Sequence, residues 1–90
     1  MKKHYNITVS GTVQGVWYRK NTLEKAIELG VTGYVKNLIN GNVYIEAEGT
    51  KEQLQALLDW CAIGPEYAKV DQVSFEEGAL MSFARFEIER

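Results

Sequence analysis

From His4 to Ser10 the chain alternates. Tyr5, Ile7 and Val9 fall on one side and Asn6, Thr8 and Ser10 on the other, the period of a half-buried strand. Gly11-Thr12-Val13-Gln14-Gly15 breaks the pattern. Leu23, Ala26, Ile27 and Gly30 then recur at helical spacing. They predict a core-facing stripe on a helix that starts between Val16 and Lys20 and stops at Gly30. Val31 to Leu38 reads as a second strand, Asn40-Gly41 as a hairpin turn, and Asn42 to Glu48 as a third strand with Val43, Ile45 and Ala47 inward. Thr50-Lys51-Glu52-Gln53 has the form of a capping box, and Leu54, Leu57, Leu58 and Cys61 give the second helix its apolar stripe. Gly64-Pro65 ends it. Ala68 to Phe75 and Phe83 to Ile88 read as strands, with Glu76-Glu77-Gly78 a solvated loop between them. The order β-α-β-β-α-β, with an additional C-terminal strand, predicts a ferredoxin-like α+β sandwich: two helices on one face of a mainly antiparallel sheet. That arrangement alone decides no function.

Composition narrows the classes. Ninety residues suffice for a single domain spanning 1–90. A net charge of −2 argues against a general nucleic-acid binder, which needs a basic face, and against a polybasic membrane anchor. No apolar run approaches the roughly 18–20 residues of a membrane span. Met1-Lys2-Lys3-His4 leads directly into the first strand without an apolar signal region, so a soluble, cytoplasmic protein is expected. One cysteine and one histidine exclude an intramolecular disulfide, a Cys-rich zinc site and a His cluster, and no cofactor or metal is expected.

Two places could carry chemistry. The glycine-flanked segment Gly11–Gly15 runs into the start of the first helix, where free N–H groups and the positive end of the helix dipole favour an anion. Arg19 stands in the first turn, and its planar fork suits phosphate oxygens. This is either a phosphate cradle or a plain turn; the Gly-Lys-Ser/Thr ending of a Walker A loop is absent. Asn37 is the second place. The first two strands of this topology run parallel and the helix between them runs back, so its N-terminus lies at the same end as the C-terminal ends of both strands. Alternation puts Asn37 on the helix-covered face and brings it towards Arg19. It either holds a water there, or caps a strand end or supports the hairpin. Lys36 points to the opposite face. Cys61 reads as core, Trp60 as the core's edge, and His4 as a solvent-facing residue ahead of the first strand. Asp59 and Glu66 have no visible partner, so no acid–base pair is indicated.

Val9-Ser10-Gly11-Thr12-Val13-Gln14-Gly15-Val16-Trp17-Tyr18-Arg19 resembles the first signature of the acylphosphatase family. Gly33-Tyr34-Val35-Lys36-Asn37, followed by Gly41-Asn42-Val43 and Gly49, resembles the second, and Arg85-Phe86-Glu87-Ile88 is similar to the family's ending. The resemblance implies metal-independent hydrolysis of the carboxyl–phosphate bond of acyl phosphates. It places the phosphate-binding arginine at Arg19 and the water-orienting asparagine at Asn37. The backbone phosphate loop falls on Gly11, Thr12, Val13, Gln14, Gly15, Val16, Trp17 and Tyr18, with Thr22 in support. The expected partners are a small-molecule acyl phosphate, and inorganic phosphate as product or inhibitor; no nucleic acid or membrane is expected, and a monomer suffices. Tyr18 departs from the family's usual Phe or Met, and Trp17 is bulkier than the small residue often found there. Both bear on rate and substrate preference, not on the reaction.

Other functions compete. A phosphate-binding module without turnover would use the same cradle. Acylphosphatase-like domains also stand at the front of a larger hydrogenase-maturation protein, followed by Cys-rich zinc segments that this sequence lacks, which favours a free-standing enzyme. An RNA binder of the same strand order needs exposed aromatics on the third strand, where this chain offers Tyr44 beside Glu46 and Glu48.

Overall fold

In a computed structural model that describes residues 1–89, the first alternating segment is the centre of β1 (Lys3–Thr12). There follow α1 (Tyr18–Leu29), β2 (Thr32–Asn37), β3 (Val43–Gly49), α2 (Lys51–Ile63), β4 (Lys69–Gly78) and β5 (Phe86–Ile88). The five strands form one sheet in the order β4-β1-β3-β2-β5. All neighbours are antiparallel except β2 and β5, which are parallel. The ferredoxin-like expectation is met, and the additional C-terminal strand closes the β2 edge.

The core lies between the helices and one face of the sheet. Tyr5, Ile7 and Val9 meet Val43, Ile45 and Ala47 across the β1–β3 ladder, and all six are buried. Leu54, Leu57, Leu58 and Cys61 of α2 bury their stripe against them, as the spacing predicts. The capping box forms in full: Gln53 N donates to Thr50 Oγ1 at 3.2 Å and Thr50 N donates to Gln53 Oε1 at 2.8 Å. Gly30 ends α1 in the left-handed region, with φ of 80°. The Asn40-Gly41 turn also forms, but only Gly41 takes a positive φ, while Asn40 Oδ1 accepts from Asn42 N.

Four expectations need correction. Ile27 is 64% exposed; α1 seats instead on Tyr18, Thr22 and Ala26, with Leu23 half-buried beside them. A helical residue lies about 100° round from its neighbour, so a stripe centred on Ala26 turns Ile27 outward. Glu76 and Glu77 belong to β4, not to a loop, although they stay solvated because β4 is an edge strand. The last strand starts at Phe86, not Phe83.

His4 is the fourth. It lies within β1, only 2% exposed, on the face away from the helices. Its Nδ1 donates to Glu48 Oε2 at 2.7 Å and its Nε2 lies 3.1 Å from Glu46 Oε1. Both ring nitrogens therefore face carboxylates, an arrangement only the imidazolium satisfies. Glu48 also accepts from the N–H groups of Met81 and Phe83, and Phe83 stacks on the His4 ring. Tyr34 and Tyr44 donate to Glu46 at 2.6 and 2.9 Å. Burial opposes the charge on His4, but the hydrogen bond to Glu48, that to Asn6 and the charges of Glu46 and Glu48 outweigh it and raise its pKa. Burial likewise opposes the charge on each glutamate. The tyrosine hydroxyls for Glu46, the Met81 and Phe83 N–H groups for Glu48, and His4 for both reverse the balance and lower their pKa values.

The contribution of His4 to stability is thus complete below its ordinary value of 6.5 and is lost as pH rises through the raised folded value. That of the glutamates is present above 4.5 and is lost as pH falls through their lowered values. The urea midpoint should decline from pH 6 to pH 9. His4→Gln should flatten that decline and lower stability at pH 6 by roughly 3 kcal/mol, since it leaves a buried charge without its partner. A wild-type midpoint that stayed level over this range would contradict the charged assignment.

Candidate active site

The approach to α1 is held in a conformation that its residues do not choose. Trp17 occupies the N-cap position with φ 67° and ψ 15°, and its side chain makes no cap. For a bulky L-residue the left-handed region costs roughly 1–2 kcal/mol. Asn21 offsets this from within the helix: its N–H and its Nδ2 both donate to Trp17 O, at 3.0 and 2.8 Å. Tyr18 anchors the other side. Its ring is buried 5.4 Å from that of Trp60, and its hydroxyl donates to Cys61 O at 2.8 Å. The polar partner expected for a buried tyrosine is therefore present. Burial raises the phenol well above its ordinary value, so it stays a donor. Burial also pushes the Cys61 thiol up to about 12, which keeps it an inert core residue. Thr22 is fully buried and donates to Tyr18 O at 2.7 Å, which ties the first turn to the second.

The two glycines of the loop do different work. A Cβ on Gly11 would lie 2.2 Å from Lys69 O, so Gly11 lets β1 pass close to β4 where their register shifts. Gly15 has open space around it but a φ of 74°, so there the backbone and not the room requires glycine. Between them Gln14 extends its amide to the β2–β3 hairpin. Nε2 donates to Leu38 O at 2.7 Å and to Asn42 O at 2.8 Å. The loop before α1 and the hairpin after Asn37 are thereby clamped together.

These elements enclose an open cavity of about 380 Å³ lined by Val13, Gly15, Trp17, Tyr18, Arg19, Lys20, Asn37 and Ile88. The sequence topology brings Arg19 and Asn37 to one site, and both are on its wall. Asn37 Oδ1 is buried without a protein partner, the one such side-chain atom among the described residues. An unpaired buried acceptor costs about 1–3 kcal/mol, so this oxygen needs a donor that the protein does not supply. Arg19 is half-buried and makes no salt bridge among the described residues. No acidic residue stands in the first turn of α1, which carries Arg19 and Lys20 beside the positive end of the helix dipole. The field in the cavity favours an anion.

Several loop residues lie off the wall. Gly11 and Thr12 pair with Val70 and Lys69 in the sheet, and Gln14 is committed to the hairpin. Val16 packs against the core and Thr22 supports the helix from behind. Lys36 lies on the opposite face, its ammonium 5.8 Å from the rings of Tyr34 and Tyr44. Lys20 and Ile88 were not singled out in the sequence. Ile88 reaches the cavity only because β5 pairs with β2, opposite Val35.

The model of the acylphosphatase family matches residues 5–88. An acylphosphatase of Methylococcus capsulatus is 45% identical over 89 residues, 98% of this chain and 97% of its own. One of Marinobacter nauticus is 55% identical over 73 residues, 81% of this chain and 79% of its own. The crystal structure of the acylphosphatase from Bacillus subtilis superposes over the whole of both chains with a TM-score of 0.95 at 35% identity.

The Gln14 clamp gives a direct test. Gln14→Leu keeps the size and removes both hydrogen bonds. It should lower kcat/KM for benzoyl phosphate about tenfold while the protein loses roughly 1–3 kcal/mol in urea. Unchanged kinetics would mean that the hairpin holds Asn37 in place without the loop.

Proposed function

The chain belongs to the acylphosphatase family, and from that premise we propose how its cavity hydrolyses the carboxyl–phosphate bond of an acyl phosphate. The phosphoryl group sits at the start of α1. Backbone N–H groups of the loop leading into the helix and the Arg19 guanidinium hold its equatorial oxygens. Asn37 accepts a hydrogen bond from the attacking water at Oδ1 and aims it at phosphorus, in line with the leaving oxygen. The observation that carries this reading is that Arg19 and Asn37 stand on one cavity wall, with Asn37 Oδ1 left without a donor from the protein.

The chemistry asks for little more. The leaving group is a carboxylate, stable as an anion near neutral pH, so no general acid has to protonate it. Phosphoryl transfer draws mainly on positioning and charge stabilisation, which Arg19, the N–H groups and the helix dipole supply. The water's proton passes to a phosphoryl oxygen, and the products are carboxylate and inorganic phosphate. Thr22 acts at one remove, by fixing the Tyr18 carbonyl.

The partner on this reading is a small-molecule acyl phosphate, with inorganic phosphate as product and competitive inhibitor. The domain spans the whole chain and works as a cytoplasmic monomer. No helix among the described residues is long and apolar enough to cross a membrane.

Hydrolysis of benzoyl phosphate, followed by its ultraviolet absorbance with EDTA present, tests the roles. Arg19→Ala should raise KM and lower kcat, because it removes both binding and transition-state charge. Asn37→Ala should lower kcat by about 100-fold or more and change the inhibition constant of phosphate little. Loss of phosphate binding in Asn37→Ala, with kcat at saturation intact, would reverse the assignment. No turnover by the folded wild type would leave a phosphate-binding module.

A further inference from the structure

Trp17 has no structural reason to be tryptophan. The residue is 67% exposed, so the core does not use it. It stands at the N-cap and caps nothing. Its φ of 67° is one that bulky L-residues avoid. A strained residue held in place by its neighbours points to function, and the place here is the wall of the cavity.

The cavity is also larger than the phosphoryl group requires. Its volume of about 380 Å³ equals the share of roughly a dozen water molecules, whereas a phosphoryl group has only four heavy atoms. Away from Arg19 and Asn37, the wall is made by Val13, Gly15, Trp17, Tyr18, Lys20 and Ile88, and among these Trp17 and Ile88 are the apolar side chains not sealed in the core. Lys20 places its ammonium 5.4 Å from the centroid of the indole, which steadies the ring from one side.

We propose that the Trp17 indole and Ile88 form the subsite for the acyl half of the substrate, and that this subsite selects acyl phosphates with a flat, apolar acyl group over small ones. This rests on the acyl phosphate reading of the cavity. The acyl group packs on the indole and against the Ile88 side chain, while the phosphoryl end stays at the start of α1. The Trp17 side chain then sets specificity through its ring, separately from its backbone. A small acyl group such as acetyl does not reach the ring and gains nothing from it.

The test compares kcat/KM for benzoyl phosphate and acetyl phosphate in the wild type, Trp17→Gly and Trp17→Phe. Glycine removes the ring and accepts the positive φ, and phenylalanine keeps a flat apolar surface. The wild type should prefer benzoyl phosphate. Trp17→Gly should lower the benzoyl-to-acetyl ratio about fivefold or more, and Trp17→Phe should retain most of it. The inhibition constant of inorganic phosphate, measured on each variant, reports on the loop itself. If Trp17→Gly weakens both substrates and phosphate by the same factor, the ring serves the loop and the inference fails while acyl phosphate hydrolysis stands. If the wild type turns over neither substrate, the reading of the cavity fails and takes the inference with it.

Discussion

The start of α1 is the constraint on which the site depends. A helix N-terminus with Arg19 and Lys20 in its first turn, no acidic residue and no side-chain cap is electrostatically unfavourable on its own. Capping and charge at α2 are arranged in the ordinary way, with Thr50 and Gln53 reciprocally bonded and Glu52 in the first turn. The contrast within one small fold shows what α1 gives up. The stability lost there is recovered from packing and polar contacts behind it: Tyr18 against Trp60 and bonded to Cys61 O, Thr22 bonded to Tyr18 O, and Asn21 doubly bonded to Trp17 O. A helix end built this way is one whose field favours an anion.

Topology does the rest of the positioning. Since β1 and β2 are parallel with β3 between them, the loop into α1 and the end of β2 emerge at the same end of the sheet. Gln14 then converts proximity into fixed geometry by bonding both Leu38 O and Asn42 O across the hairpin that follows Asn37. Precision of this kind matters to a mechanism that works by alignment of water, phosphorus and leaving oxygen.

How much of this was legible in the sequence follows from how local each signal is. The alternation in β1 and β3, the Leu54–Cys61 stripe and the Thr50 box are local patterns, and all of them formed. The meeting of Arg19 and Asn37 needed only the order of the elements and the alternation along the second strand. His4 misleads because its charged partners lie far off in the chain: Glu48 is 44 residues away, and nothing near His4 announces it. Gln14 was noted for its backbone alone, since its side-chain acceptors are carbonyls, which a sequence does not distinguish. Ile27 fitted the helical template as well as its neighbours; the choice of face was settled by Tyr18, whose burial no periodicity from Leu23 onward could indicate.

The two faces of the sheet are linked through β5. That strand is three residues long and pairs only with β2, so its own ladder is a weak attachment. The segment before it is held from the other face, where Glu48 accepts from Met81 and Phe83 and the Phe83 ring lies on His4. Two residues on, Arg85 O accepts from Gly33 N, and the strand begins. The ionic cluster therefore fixes the approach of the strand whose Ile88 completes the cavity wall on the helix side. A buried imidazolium and its glutamates are costly to assemble in a domain of this size. Here they tie a short C-terminal strand to the sheet without extending it, and so keep Ile88 on the cavity wall that Trp17 also lines.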